Sequence, residues 1–226
     1  NCLDYTSKNK RLKLWKSNEI KDEVYFKFND VLSNQGFKKF IKNLYHYGFS
    51  LIKYCQRDIS SVERIAKKIG YVRQSIFGGL WNFESDENMA DSAYTQDELR
   101  PHTDSTYSND APGLQLLLCC HYRAKGGASI MVDGFKIAET IKRENKEIYD
   151  LLSSVEVTGK YVGDGVILQA RRPIFKLNSN KELMQVSFNN YDRAPFRFEK
   201  DLTIKFYDAI KKFDLMANSD EYQWRY

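Results

Sequence analysis

Apolar positions recur along this chain in two periods, three-to-four and two. Phe37, Phe40, Ile41, Leu44 and Tyr45 fall on one helical stripe, which predicts a helix over 36–47 closed by Gly48. A second helix is predicted over 58–68, with Ser60 and Glu63 spaced as a capping box and Gly70 as its stop. Further helices are predicted over 135–143, over 147–152, and from Leu202 through Phe206, Ala209, Ile210 and Phe213 to about Met216. Strand-like alternation or short apolar runs mark 24–28, 49–54, 80–83, 128–133, 155–161, 172–177 and 183–188. The almost unbroken apolar run 113–122 reads as a strand buried on both faces, and Gly126-Gly127 turns it into 128–133 as a hairpin. Helices first, then mostly strands, predict an α+β domain whose strands make a double-sheet jelly roll with flanking helices.

Composition narrows this. The 226 residues are 42% hydrophobic and 14% aromatic, which suits one globular domain over 1–226 with a true core. The net charge of +5 is spread without a block of like charge, so nucleic acid is not an expected partner, while a mildly basic surface favours small anions. No apolar run is long enough to span a membrane, and Cys2, Cys55, Cys119 and Cys120 have no disulfide-framework spacing, so an intracellular, cytoplasmic setting is expected, or a mitochondrial one in a eukaryote. The first residue is not Met, from which we expect a piece of a longer polypeptide.

The candidate chemistry sits at 99–107. In an extended segment His102 and Asp104 project to one side and Thr103 to the other, so an imidazole and a carboxylate make two adjacent corners of an octahedral metal site. A second histidine would complete the 2-His-1-carboxylate face of a non-haem iron centre; without it the pair reads equally as a polar loop. Phe77, Trp81 and Tyr94 are core or rim aromatics, or, grouped near the acidic Asp91, walls for a quaternary ammonium ion. Ser129 could donate to a bound carboxylate or satisfy backbone. His46, in the last turn of its helix, reads as a terminal cation rather than a ligand.

An ordered series then stands out: Phe77-Gly78-x-x-Trp81, Ala90-Asp91-x-Ala93-Tyr94-Thr95, His102-Thr103-Asp104, Pro112-Gly113-x-Gln115, Gly126-Gly127, Val132-Asp133-Gly134-Phe135, Phe188-Asn189-Asn190 and Gln223-Trp224-Arg225. It resembles the γ-butyrobetaine hydroxylase and trimethyllysine dioxygenase family of 2-oxoglutarate-dependent Fe(II) oxygenases, on a double-stranded β-helix core, and is nearer the trimethyllysine branch. The resemblance implies His102 and Asp104 as iron ligands, Leu117 and Ser129 lining a 2-oxoglutarate pocket, and Phe77, Trp81 and Tyr94 as a trimethylammonium cage. Phe77 stands where the family usually has Tyr. Asp91, Asn189 and Asn190 would orient the polar end of the substrate. It also implies Fe(II), 2-oxoglutarate and O2 as cofactor and co-substrates, and is compatible with ascorbate as an accessory reductant and with a homodimer, the sequence itself giving no oligomeric state.

Relatives carry a distal His and a 2-oxoglutarate-binding Arg beyond the position matching Tyr226, and neither His46 nor His121 matches that His; an N-terminal zinc module is not evident. The expected function is hydroxylation of a trimethylammonium substrate, most simply N6-trimethyllysine, as in carnitine biosynthesis. The alternatives are γ-butyrobetaine or another quaternary amine as substrate, or a non-catalytic quaternary-amine binding module.

Overall fold

The computed structural model describes residues 12–83, 98–122, 125–163 and 165–226. They fall into two compact units, one comprising 12–15, 19–83, 98, 114–122 and 125–127, the other 16–18, 99–113, 128–163 and 165–226.

In the first unit β1 (Tyr25–Lys27) pairs in parallel with β2 (Leu51–Lys53), and α1 (Phe28–Leu32), α2 (Asn34–Tyr47) and α3 (Ile59–Ile69) pack a core of Phe28, Val31, Phe40 and Ile65. α2 starts because the Ser33 hydroxyl accepts the Gly36 N–H at 3.0 Å, and it ends at Gly48, whose φ of 78° is left-handed. The α3 cap differs from expectation. Asp58, not Ser60, accepts the Ser61 N–H at 3.0 Å, and Ser60 instead donates to the Asp58 carboxylate. Gly70 ends the helix at φ −177°, ordinary extended backbone.

The second unit holds the larger core. α4 (Gly134–Glu144), α5 (Lys146–Ser154) and α6 (Lys200–Ala217) bury Ile137, Ile141, Leu152, Phe206 and Ala209 against Phe175 of β6 (Phe175–Leu177), which pairs with β7 (Leu183–Val186). β4 (Glu156–Gly163) and β5 (Val166–Pro173) form an eight-pair antiparallel ladder from Glu156↔Pro173 to Gly163↔Val166. α4 shows what Val132-Asp133-Gly134-Phe135 does locally: the Asp133 carboxylate accepts the N–H groups of Phe135 and Lys136, and Gly134 lies close against Val186, where a Cβ would meet side-chain atoms at 3.2 Å.

The mixed helix-and-strand class holds; among the described residues the eight strands pair two by two, and a two-sheet jelly roll is not directly seen. The run 113–122 forms no strand; Leu114, Leu117 and Tyr122 are exposed. A strand buried on both faces needs ladder partners at its edges, and none of the described strands supplies one. Gly126 and Gly127 do turn, both with positive φ, but β3 (Ile130–Met131) pairs with β8 (Trp224–Arg225) rather than back onto 113–122. Nor do the described residues of 80–83 form a strand. No helix is long and apolar enough to cross a membrane among the described residues.

Gly36 gives a test in which the usual sign reverses. Replacing an exposed helical Gly by Ala ordinarily stabilises by up to about 1 kcal/mol. Here a Cβ would stand 1.9 Å from the Asp30 carbonyl oxygen. Gly36→Ala is therefore expected to destabilise by about 1–3 kcal/mol, read by chemical denaturation; a stabilised variant would refute this packing.

Candidate active site

The His102 segment is held from both sides. The Thr103 N–H donates to the Phe188 carbonyl at 2.7 Å, and the Phe188 N–H donates to the Thr103 hydroxyl at 2.9 Å. Thr103 thus faces the core strand end, and alternation turns His102 and Asp104 the other way, as the spacing predicts. They meet: His102 Nε2 lies 3.3 Å from Asp104 Oδ1. After Asp104 the chain bends sharply at Ser105, whose φ of 57° is left-handed, and the Ser108 N–H closes the turn on the Ser105 carbonyl. Thr106 and Tyr107 then plunge into the unit, with the Thr106 backbone against Gly159, where any Cβ would come within 2.5 Å.

The tautomer of His102 follows from its partner. Nδ1 is 2.7 Å from the Arg100 carbonyl, which can only accept, so Nδ1 carries a proton and Nε2 is the nitrogen turned to Asp104. This is the arrangement of a metal-ligating histidine, one nitrogen fixed on the backbone and the other presented. Two cis donors on an octahedral ion with bonds of about 2.1 Å stand about 3 Å apart, so the 3.3 Å edge fits a metal with little adjustment. With a proton there instead, the Asp104 carboxylate beside Nε2 raises the His102 pKa above its ordinary value; partial burial opposes this, and the Arg100 carbonyl and the Asp192 charge add to it. That pairing stabilises the fold at pH below the ordinary histidine value and is lost as pH rises through the raised one. A metal would take the proton's place. Among the described residues no group of three or more His, Cys, Asp or Glu gathers, so the described part of the site is the two-donor edge.

The turn 189–193 backs this edge. The Asn189 side-chain oxygen accepts the N–H groups of Tyr191 (2.8 Å) and Asp192 (3.4 Å), and its amide donates to Asp192 at 2.8 Å. Asn190 accepts from Arg193 Nε at 3.2 Å and donates to Asp214 of α6 at 3.4 Å. Asp214 also faces Arg100, at 3.4 Å. Asn189 and Asn190, expected at the substrate, thus have much of their hydrogen-bonding capacity committed to the turn. Tyr191, Asp192 and Arg100 are the supporting residues that sequence reasoning missed; only the run following Phe188 hinted at them.

Of the other predicted residues, Phe77 and Trp81 come together in the first unit with ring centroids 6.0 Å apart, tilted by 32°, leaving Trp81 46% exposed. A reciprocal backbone turn between Ser75 and Gly78, with Gly78 at φ 90°, brings them together. Asp91 and Tyr94 lie outside the described residues. Leu117 is exposed, and Ser129, also exposed, exchanges main-chain hydrogen bonds with Tyr226 at 3.2 Å.

Residues 9–226 match the family described as taurine catabolism dioxygenase TauD, TfdA family. The chain belongs to this family. It is 34% identical to the trimethyllysine dioxygenase of Meyerozyma guilliermondii over 197 residues, covering 83% of this chain and 49% of that one. It is also 34% identical to the mitochondrial trimethyllysine dioxygenase of Homo sapiens over 167 residues, covering 72% and 40%, and 27% identical to dioxygenase str8 of Strobilurus tenacellus over 213 residues, covering 90% and 49%. The chain therefore spans about half the length of the curated relatives it matches or less. In this family member the His102-x-Asp104 pair lies on a segment that Phe188 holds through Thr103, which gives the pair its geometry with nothing bound.

That clamp is testable in the metal-free protein. Thr103→Val keeps the shape but leaves the Phe188 N–H without its acceptor, so a loss of about 1–3 kcal/mol is expected by denaturant unfolding. An unchanged midpoint would show that the Thr103–Phe188 pair does not hold the segment.

Proposed function

We propose that the protein of which this chain is part is an Fe(II)- and 2-oxoglutarate-dependent hydroxylase of a trimethylammonium substrate, with N6-trimethyllysine as the first candidate. The observation that carries the reading is the His102–Asp104 edge, with Nδ1 on the Arg100 carbonyl and Nε2 turned to Asp104. Family membership and the similarity to proteins named trimethyllysine dioxygenase support it.

His102 and Asp104 would hold the iron. When bound, the metal supplies the oxidation of 2-oxoglutarate to succinate and CO2 and the activation of O2 for hydroxylation. The chain's own task is placement. Asp104 neutralises part of the metal's charge, and Arg100 keeps Nε2 aimed at it through Nδ1. Phe77 and Trp81 offer π faces to the quaternary nitrogen; with Tyr94 they would form the cage. Holding that nitrogen would restrict how the substrate can turn, which is what selects one methylene for reaction. Leu117 and Ser129 are each kept as candidate contacts of the co-substrate.

Asp91 favours trimethyllysine within this class. An amino acid carries an α-ammonium that a carboxylate can pair with, whereas γ-butyrobetaine offers only a carboxylate, which Asp91 would repel.

The test is succinate formation by the full-length protein with Fe(II) and 2-oxoglutarate, offering trimethyllysine and γ-butyrobetaine separately. Turnover with trimethyllysine that falls at least about 100-fold in His102→Ala is expected. Turnover with γ-butyrobetaine alone would keep the iron site and sink the Asp91 argument. Binding of trimethyllysine without succinate from either compound would replace the enzyme with the binding-module reading.

A further inference from the structure

His102 is gripped by more than the Arg100 carbonyl. Tyr191 meets the imidazole with ring centroids 5.9 Å apart and planes at 83°, an edge-to-face contact that resists rotation of the ring. Its hydroxyl, 3.0 Å from the Arg100 nitrogen, accepts that N–H. Tyr191 therefore holds the N–H of the same residue whose carbonyl holds His102 Nδ1. Between them stands Pro101, which restricts Arg100 to extended conformations and keeps its carbonyl from swinging into a helical turn. Tyr191 is itself placed by the Asn189 side chain, which accepts its backbone N–H.

Burial does not explain this tyrosine. It is 50% exposed and belongs to neither hydrophobic core, so its side chain can be removed with little loss of packing. What its removal would disturb is the pair of contacts to His102 and Arg100.

We infer that Tyr191 is a positioning residue: by bracing the imidazole with its ring and the Arg100 peptide with its hydroxyl, it fixes His102 in the orientation that presents Nε2 to a metal shared with Asp104. This rests on the metal-site reading proposed above. The two contacts separate by substitution. Tyr191→Phe keeps the ring and drops the hydroxyl; Tyr191→Leu drops both.

The experiment uses the full-length protein, with Co(II) as the spectroscopic probe and ¹⁵N NMR of labelled histidine in the metal-free state. Weakening of Co(II) binding by about tenfold is expected in Tyr191→Phe and by up to about 100-fold in Tyr191→Leu, the range found for outer partners of metal ligands. The His102 Nδ1 signal should move from that of a protonated nitrogen bonded to backbone towards an average over ring orientations, graded in the same order, at an unchanged thermal midpoint. Wild-type affinity and Nδ1 signals in both variants would overturn the inference, as would losses that merely track a fall in thermal midpoint. His102→Ala separates the two readings. If it too binds Co(II) like wild type, the metal site lies elsewhere and both fall; if it loses Co(II) while the Tyr191 variants retain it, only the positioning role falls.

Discussion

One hydrogen bond, from His102 Nδ1 to the Arg100 carbonyl, decides what the site can do. Turn the ring over and the lone pair faces backbone instead of Asp104. Yet such a bond contributes only about 1 kcal/mol net, a preference of about fivefold, which is too weak to hold one ring state alone. The structure supplies the remainder by immobilising both ends. Thr103 is paired to Phe188 through both its N–H and its hydroxyl, and Arg100 is held at its N–H by Tyr191 and at its guanidinium by Asp214. The carbonyl has few places left to go.

The cost of this arrangement appears one residue later. Ser105 adopts a left-handed φ that costs a non-glycine residue of order 1–3 kcal/mol. What offsets it is the descent that follows: Thr106 and Tyr107 become buried, Tyr107 packs on Tyr161 with centroids 5.1 Å apart, and the Thr106 backbone lies against a glycine, the one residue without a Cβ to collide with it. The bend next to Asp104 is therefore kept by packing in the β4–β5 ladder and not by the site itself.

These facts also explain what could be read from the sequence. Helices were legible because their causes are local: the stripe through Phe37, Phe40, Ile41 and Leu44, and the left-handed Gly48, both lie within one segment. His102 opposite Thr103 was legible for the same reason, since alternation needs no partner. The run 113–122 misled because apolarity alone cannot say whether ladder partners exist. The α3 cap misled by a choice between neighbours, Asp58 and Ser60, that only the hydrogen bond decides. Tyr191, Asp192 and Asp214 were invisible as supports because they act on residues about 90 to 114 positions away along the chain, and no period records that.

Asn189 shows how the supporting role constrains a binding one. Both lone pairs of its side-chain oxygen are taken, by Tyr191 and Asp192, and one amide hydrogen goes to Asp192. It has a donor left and no acceptor. For the amino acid substrate proposed above, Asn189 can therefore meet the carboxylate and not the ammonium, which needs an acceptor. The hydrogen bonds that brace the Tyr191 turn would thus set the sign of the substrate group that Asn189 could meet before any substrate arrives.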